Sequence, residues 1–166
     1  MKKLLSVFLC LLFLVSLTGC ISYHHKALML YGESPAVSVE LYDLPVLYGG
    51  LKDFFESGKE GSVPVKQLPA DRVDGFLSEV TTWKYTDTVI LLPVAQDSPR
   101  EFGGYAVKVT YENGNWEIFD SDFCVYFDGK EEHRKLGSVD WDLWDDLLWD
   151  FFEVRRESGG KNVRTG

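Results

Sequence analysis

Apolar and polar residues alternate along much of the chain, and this two-residue period predicts half-buried β-strands. The alternation is clearest over residues 36–42, and a shorter strand is predicted over 27–31. Residues 88–94 form an almost continuous apolar run rich in branched side chains, which is typical of a central strand covered on both faces. A further strand is predicted over residues 123–127. These segments together favour a sheet of several strands.

The clearest turn signal is Asn113-Gly114, because this pair tolerates the positive φ angles of a type I′ hairpin turn. A two-residue loop at this point sets a register with apolar pairs across the hairpin: Tyr111 opposite Trp116, and Val109 opposite Ile118. Polar residues then share the opposite face, among them Lys108, Thr110 and Glu117. The turn and the hydrophobic pattern agree on this register.

A helical period predicts a short helix over residues 51–57 that ends at Gly58. A longer helical pattern covers residues 69–85, and Pro69 suits its first turn. With the strands, these elements predict an α+β fold in a single domain. A mainly antiparallel sheet of about four to six strands would pack against two helices, over 69–85 and 139–157.

Residues 139–157 have the strongest helical pattern in the chain. Ser138 is the expected N-cap, and Gly159-Gly160 is expected to end the pattern. Arg155-Arg156 should complement the negative end of the helix dipole. One broad side of this helix is apolar and should pack on the sheet: Trp141, Leu143, Trp144, Leu147, Leu148, Phe151, Phe152 and Val154.

The other side of the same helix is acidic and carries one tryptophan, Trp149. Such a residue can anchor a basic partner, since aromatic side chains are enriched at binding hot spots, and it can also stack on a sugar ring or lie against a membrane. In the alternative interpretation Trp149 packs under a loop or the tail, and the acids form a solvated face. The predicted partner-binding residues are Trp149, Asp142, Asp145 and Asp146.

The amino terminus has the layout of a secretory signal peptide. Lys2 and Lys3 precede an apolar run over residues 4–17, which is short of the roughly 20 apolar residues of a membrane-spanning helix. The run closes in Leu17-Thr18-Gly19-Cys20, and these four residues resemble the lipobox of bacterial lipoproteins. The alternatives are an uncleaved membrane anchor and cleavage by the ordinary signal peptidase.

The resemblance to lipoproteins implies cleavage before Cys20 and a diacylglyceryl group on its thiol, with acylation of the new amino group as a further possibility. Two or three chains on one residue give stable anchoring to a membrane. In lipoproteins an aspartate after the cysteine often retains the protein in the inner membrane, and Ile21 stands there in this chain. The expected location is therefore the cell membrane or the outer membrane, outside the cytoplasm.

The domain organisation follows from this leader and the predicted elements. Residues 21–26 reach about 20 Å when fully extended, so the domain should lie close to the membrane. The expected segments are a signal peptide over 1–19, the lipidated Cys20 with a short tether over 20–26, the α+β domain over 27–157 and a flexible tail over 158–166.

The formal net charge of −9 becomes −11 when the leader is removed, because residues 1–19 hold two lysines and no acid. This balance argues against nucleic acid as a partner, since phosphate binding needs a concentrated basic face. It also argues against the domain lying flat on an anionic lipid surface. The expected partners are the membrane, reached through the lipid anchor, and a basic protein or another envelope component.

Neither a catalytic set nor a metal or cofactor site is predicted. Cys124 with His133, His24 or His25 would make a nucleophile–base pair. Residues 123–127 fit better as a strand in which cysteine is a small packing residue. The favoured function is therefore a non-enzymatic binding or interaction module on a membrane-anchored lipoprotein. The alternative is a small envelope hydrolase whose active site the sequence does not reveal.

Overall fold

The computed structural model describes residues 20–47, 50–90 and 102–154. The predicted signal peptide and tail lie outside these residues. The described elements follow in chain order: β1 (Cys20–Lys26), β2 (Ala36–Leu47), α1 (Leu51–Glu56), β3 (Lys66–Gln67), α2 (Ala70–Val80), β4 (Lys84–Ile90), β5 (Phe102–Tyr111), β6 (Trp116–Phe119), β7 (Phe123–Phe127), β8 (Glu132–Leu136) and α3 (Trp141–Phe152). None of these helices is long and apolar enough to span a membrane.

The predicted α+β class is confirmed. Six antiparallel strands form the main sheet in the order β3-β2-β5-β6-β7-β8, and β1 pairs with β4 in a separate two-stranded sheet. Two helices, α2 and α3, cover one face of the main sheet as predicted. The short helix α1 covers the opposite face, so both faces of the sheet are buried.

Two clusters of buried side chains lie on the two faces of the main sheet. The larger one joins the sheet to α2 and α3, and its members include Val39, Leu41, Val107, Val109, Phe119, Phe76, Val80, Trp144, Leu147, Leu148 and Phe152. The smaller one lies under α1 and contains Tyr42, Leu44, Leu51, Phe54, Ala106, Trp116, Ile118, Phe123 and Val125. Burial on this scale supplies most of the driving force for folding.

The hairpin between β5 and β6 forms where predicted, but its register is shifted by one residue. The Gly114 N–H donates to the Tyr111 carbonyl at 3.0 Å, which closes a turn over residues 111–114, and Gly114 itself has φ +83°. The loop therefore has three residues, a turn followed by a left-handed glycine. The observed pairs are Val107 with Phe119, Lys108 with Ile118, Val109 with Glu117, and Thr110 with Trp116. The predicted pairs of Tyr111 with Trp116 and Val109 with Ile118 are wrong.

The register shift moves two charged side chains. A one-residue slip sends every side chain of a strand to the other face. Glu117, expected beside Lys108, therefore faces the larger cluster and is 0% exposed. Lys108 faces the smaller one, where its ammonium lies 4.4 Å from the centre of the Phe55 ring and 5.5 Å from that of Trp116.

The segment predicted as a tether is a strand. Residues 20–26 form β1, which pairs along its whole length with β4, from Cys20 opposite Ile90 to Lys26 opposite Lys84. The strand predicted over 27–31 is absent, because there the Met29 and Leu30 N–H groups donate to a side chain instead of a neighbouring strand.

The helix predicted over 69–85 ends early, at Val80. Thr81 and Thr82 follow it, and the Thr82 hydroxyl donates to the Glu79 carbonyl at 2.7 Å, which satisfies a carbonyl of the last turn. Tyr85 therefore belongs to β4, which begins at Lys84. The strand predicted over 88–94 is confirmed for 88–90, which end β4, and 91–94 lie outside the described residues. Among the described strands β4 pairs with β1 alone, so it is not a strand of the main sheet.

The two-stranded sheet packs against the end of β8. Thr86 and Ser138 exchange two backbone hydrogen bonds of 3.0 Å, and the His25 Nε2 lies 3.1 Å from the Leu136 carbonyl oxygen. Gly137 lies at the contact, where a Cβ atom would come within 3.0 Å of both His25 Nε2 and the Tyr85 Cβ. A side chain at this position would therefore require its neighbours to move by a few tenths of an ångström.

Candidate functional site

Helix α3 carries the predicted site residues, and its amino end is fixed by a capping side chain. Asp140 is the N-cap, and its carboxylate accepts a hydrogen bond of 2.9 Å from the Asp142 N–H. The prediction that Ser138 caps the helix is wrong, because the Ser138 backbone is paired with Thr86 instead. Aspartate serves this position well because its oxygen satisfies an N–H that has no partner within the helix.

The carboxyl end of α3 is held by cations from other elements. The helix ends at Phe152, and Glu153 follows in the left-handed region with φ 54°. Lys66 donates to the Phe152 carbonyl at 2.6 Å, and Arg72 donates to the Phe151 carbonyl at 3.4 Å. These charges complement the negative end of the helix dipole. The sequence predicted that role for Arg155-Arg156, which lie outside the described residues.

The buried side of α3 is narrower than the sequence predicted. Trp144, Leu147, Leu148 and Phe152 are buried, whereas Trp141 and Leu143 are 46% and 45% exposed. The prediction that these last two residues pack on the sheet is therefore wrong. Val139 and Trp144 on either side of them are buried, so the exposure is confined to these two side chains.

The exposed side of α3 brings the predicted site residues together. Trp149 is 46% exposed, and Asp142, Asp145 and Asp146 are exposed on the same helix. Trp141 lies two turns before Trp149, about 12 Å along the helix axis, with Asp145 one turn from each. We call these five residues the acidic–tryptophan face: Trp141, Asp142, Asp145, Asp146 and Trp149.

The negative charge of this region extends onto α2. Burial and the nearby carboxylates of Asp150 and Asp146 raise the pKa of Glu79, in that order. Helix α3 itself contains no lysine or arginine between Trp141 and Phe152. The region therefore has a local excess of negative charge, and a cationic ligand would relieve the repulsion.

The cysteine and the three histidines do not form a catalytic pair in the described part of the chain. Cys124 is 0% exposed, and burial raises the pKa of its thiol well above the usual value, which suppresses the reactive thiolate. His133 bonds Asp128 at 3.0 Å, His25 lies against the Leu136 carbonyl, and His24 lies 3.2 Å from the Thr86 hydroxyl. Each ring is thus held by a group other than the thiol.

Glu117 is the main buried polar residue that sequence reasoning missed. Its carboxylate accepts hydrogen bonds from the Met29 N–H at 2.6 Å, from the Leu30 N–H at 3.2 Å and from the Tyr111 hydroxyl. Burial raises the pKa of Glu117 from 4.5 to about 7, and these three donors lower it in part. If the hairpin loop had been assigned three residues, 112–114, the sequence would have predicted that Glu117 faces the core.

The acidic–tryptophan face offers separated carboxylates and two large rings, which suit binding better than catalysis. In residues 20–47, 50–90 and 102–154, no three histidine, cysteine, aspartate or glutamate side chains come together as metal ligands. The comparisons with known proteins add no family: no protein-family model, curated protein or solved structure matches this chain.

Proposed function

We propose that the protein is a lipid-anchored lipoprotein of the cell envelope whose domain binds a basic partner through the acidic–tryptophan face. The anchor is proposed on Cys20, which closes the lipobox-like leader and is also the first residue of β1. The partner would be a basic protein or another cationic component of the envelope. The role is binding, with no chemical step assigned to the domain.

The observation that carries this proposal is the exposure of two tryptophans beside three aspartates. Trp141 and Trp149 are each 46% exposed, although burying a tryptophan is strongly favourable. Rings at this spacing can cover the stems of lysine or arginine side chains, and Asp145 lies between them to pair with the charged heads. Tryptophan is one of the residues most enriched at binding hot spots.

The direct test replaces Trp149 by alanine in the full chain. A zero-length carbodiimide crosslinker in intact envelopes joins carboxylates to the amines of a bound basic partner. We expect Trp149→Ala to lower the yield of the specific crosslinked product at least about tenfold, as for loss of a hot-spot residue. The product should also weaken as salt rises, because exposed charges are screened.

Leu143→Ala is the matched control, since Leu143 is 45% exposed on the same helix but outside the acidic–tryptophan face. This variant should keep the wild-type yield. Equal yields of every crosslinked product from wild type and Trp149→Ala would refute the role of this face. Equal losses in both variants would show that α3 has merely been destabilised, and Asp145→Asn would then separate loss of charge from loss of packing.

A further inference from the structure

The two-stranded sheet formed by β1 and β4 has a cationic face. Lys26 and Lys84 stand directly opposite each other in the register, and both are exposed. Like charges in this position repel each other and weaken strand pairing. Among the side chains that the structure describes, which leave out those of residues 87–90, no carboxylate lies within ion-pair distance of either ammonium.

His24 lies on the same face as the two lysines. Side chains alternate between the two faces of a strand, so His24 and Lys26 share a face, and their partners Thr86 and Lys84 share it with them. The His24 Nδ1 lies 3.2 Å from the Thr86 hydroxyl, which confirms the shared side. The positions of this face in the two strands hold no acid, and Asp87 of β4 stands opposite Tyr23, at a position of the other face. We call the surface formed by Lys26 and Lys84, with His24 beside them, the cationic face after its two lysines.

The cationic face lies on the strand that begins at Cys20. Lys26 is six residues along β1, about 20 Å from the Cys20 end. Because β1 is paired along its length with β4, no loose spacer separates the proposed lipid anchor from these charges. A sheet standing upright on the membrane would hold Lys26 beyond the reach of the surface charge, whereas a sheet lying along the membrane would bring both lysines to it.

The net charge of the domain does not oppose this orientation. Charges farther from a surface than a Debye length, about 8 Å at physiological salt, are largely screened. The acids of α3 therefore count little if they lie away from the lipid, and each lysine near an anionic surface is attracted to it. The mature charge of −11 is an average over the whole domain, and the cationic face differs from this average in sign.

We infer that the cationic face of the β1–β4 sheet lies on the membrane and binds the phosphate groups of anionic phospholipids. This inference rests on the proposed lipid anchor. The sheet then fixes how the domain is oriented. One end of the domain is held at the lipid, and α3 is presented at a defined angle to the surrounding envelope.

The test measures the reactivity of single lysines in the acylated full chain. Protein extracted from membranes is reconstituted in vesicles of phosphatidylcholine, with or without phosphatidylglycerol, and treated with an amine-acetylating reagent. Mass spectrometry then reports the labelling rate of each lysine. Lys59 and Lys130 serve as internal controls, because both are exposed in loops flanking elements of the main sheet.

We expect phosphatidylglycerol to slow the labelling of Lys26 and Lys84 about fivefold, with Lys59 and Lys130 unchanged, and high salt to remove the difference. If the protein floats with both vesicle types but Lys26 and Lys84 are labelled equally in them, the inference is overturned and the proposed anchor stands. Protein that floats with neither vesicle type would overturn the anchor and the inference together.

Discussion

Glu117 is a carboxylate placed among apolar side chains and bound by three hydrogen-bond donors. It holds the Met29 and Leu30 N–H groups directly after β1, and so joins the two-stranded sheet to the main sheet. Burial makes ionisation costly, which raises its pKa from 4.5 to about 7. The three donors keep the cost lower than burial alone would make it.

The pKa of Glu117 predicts a loss of stability as pH rises. Because the pKa is higher in the folded chain, its contribution is complete below about 4.5 and is lost as pH passes through about 7. A shift of this size corresponds to about 3 kcal/mol of unfolding free energy. Glu117→Gln should remove most of this slope, since its amide can accept from the Met29 N–H and donate to the Tyr111 oxygen.

Urea unfolding between pH 4.5 and 7.5 measures this difference. Glu112→Gln, at an exposed hairpin-loop position, controls for the loss of one negative charge. Tyr111→Phe removes a donor from the carboxylate and should steepen the fall in stability. An unchanged slope in Glu117→Gln would show that another group causes the pH dependence.

At the scale of single residues, the sequence predicted the exposed side of α3 better than its ends. Trp149, Asp142, Asp145 and Asp146 lie on the side that helical spacing gave them. Spacing alone could not show that Trp141 and Leu143 are exposed while Val139 and Trp144 are buried, because that depends on how the helix is oriented on the sheet. The cations at the end of the helix, Lys66 and Arg72, come from distant parts of the chain and leave no local signal.

At the scale of elements, the joint between the two sheets depends on Gly137. A Cβ atom there would lie 3.0 Å from His25 Nε2 and from the Tyr85 Cβ, closer than ordinary contact. Gly137→Ala should therefore destabilise the protein by about 1–3 kcal/mol, as overpacked sites do. Amide hydrogen exchange should accelerate in β1 and β4 before it does so in β5 and β6.

Gly75→Ala makes the same chemical change in the exposed middle of α2, where a Cβ atom meets nothing within 4 Å. It should stabilise the protein by about 0.5–1 kcal/mol, because alanine favours the helix. Opposite signs for the two variants would establish that the clash is specific. A Gly137→Ala protein as stable as wild type would mean that the joint tolerates a side chain.

Most elements were predictable from local patterns, whereas their pairing was not. Periodicity located β2, β7, α1 and α3, because each has a clear apolar side. The β5–β6 register failed because a two-residue and a three-residue loop fit Asn113-Gly114 equally well, and the two differ by one residue of slip. Strand β1 was predicted as a spacer because His24, His25 and Lys26 are polar residues typical of a solvated segment. Its partner β4 is about sixty residues away in the chain, so no local pattern indicates the pairing.

At the scale of the whole molecule, the proposals assign different surfaces to lipid and to partner. The cationic face would lie on phospholipid, and the acidic–tryptophan face of α3 would remain available to a basic protein. Thr86 pairs with Ser138 just before α3, so the two surfaces are connected through one short backbone contact. The orientation of the domain then depends on where the lipid is attached.

Replacing Cys20 by serine tests that attachment, because acylation requires the thiol. We expect the Cys20→Ser protein to leave the membrane fraction or to accumulate unprocessed. In the native protein, the amino-terminal peptide should begin at Cys20 and carry the mass of its acyl chains. Cys10→Ser, the same change within the leader, should be processed and anchored like wild type. Membrane fractionation and intact mass spectrometry give both readouts. A native protein that begins at another residue, or lacks acyl mass, would contradict the anchor, and nothing would then hold the β1–β4 sheet beside lipid.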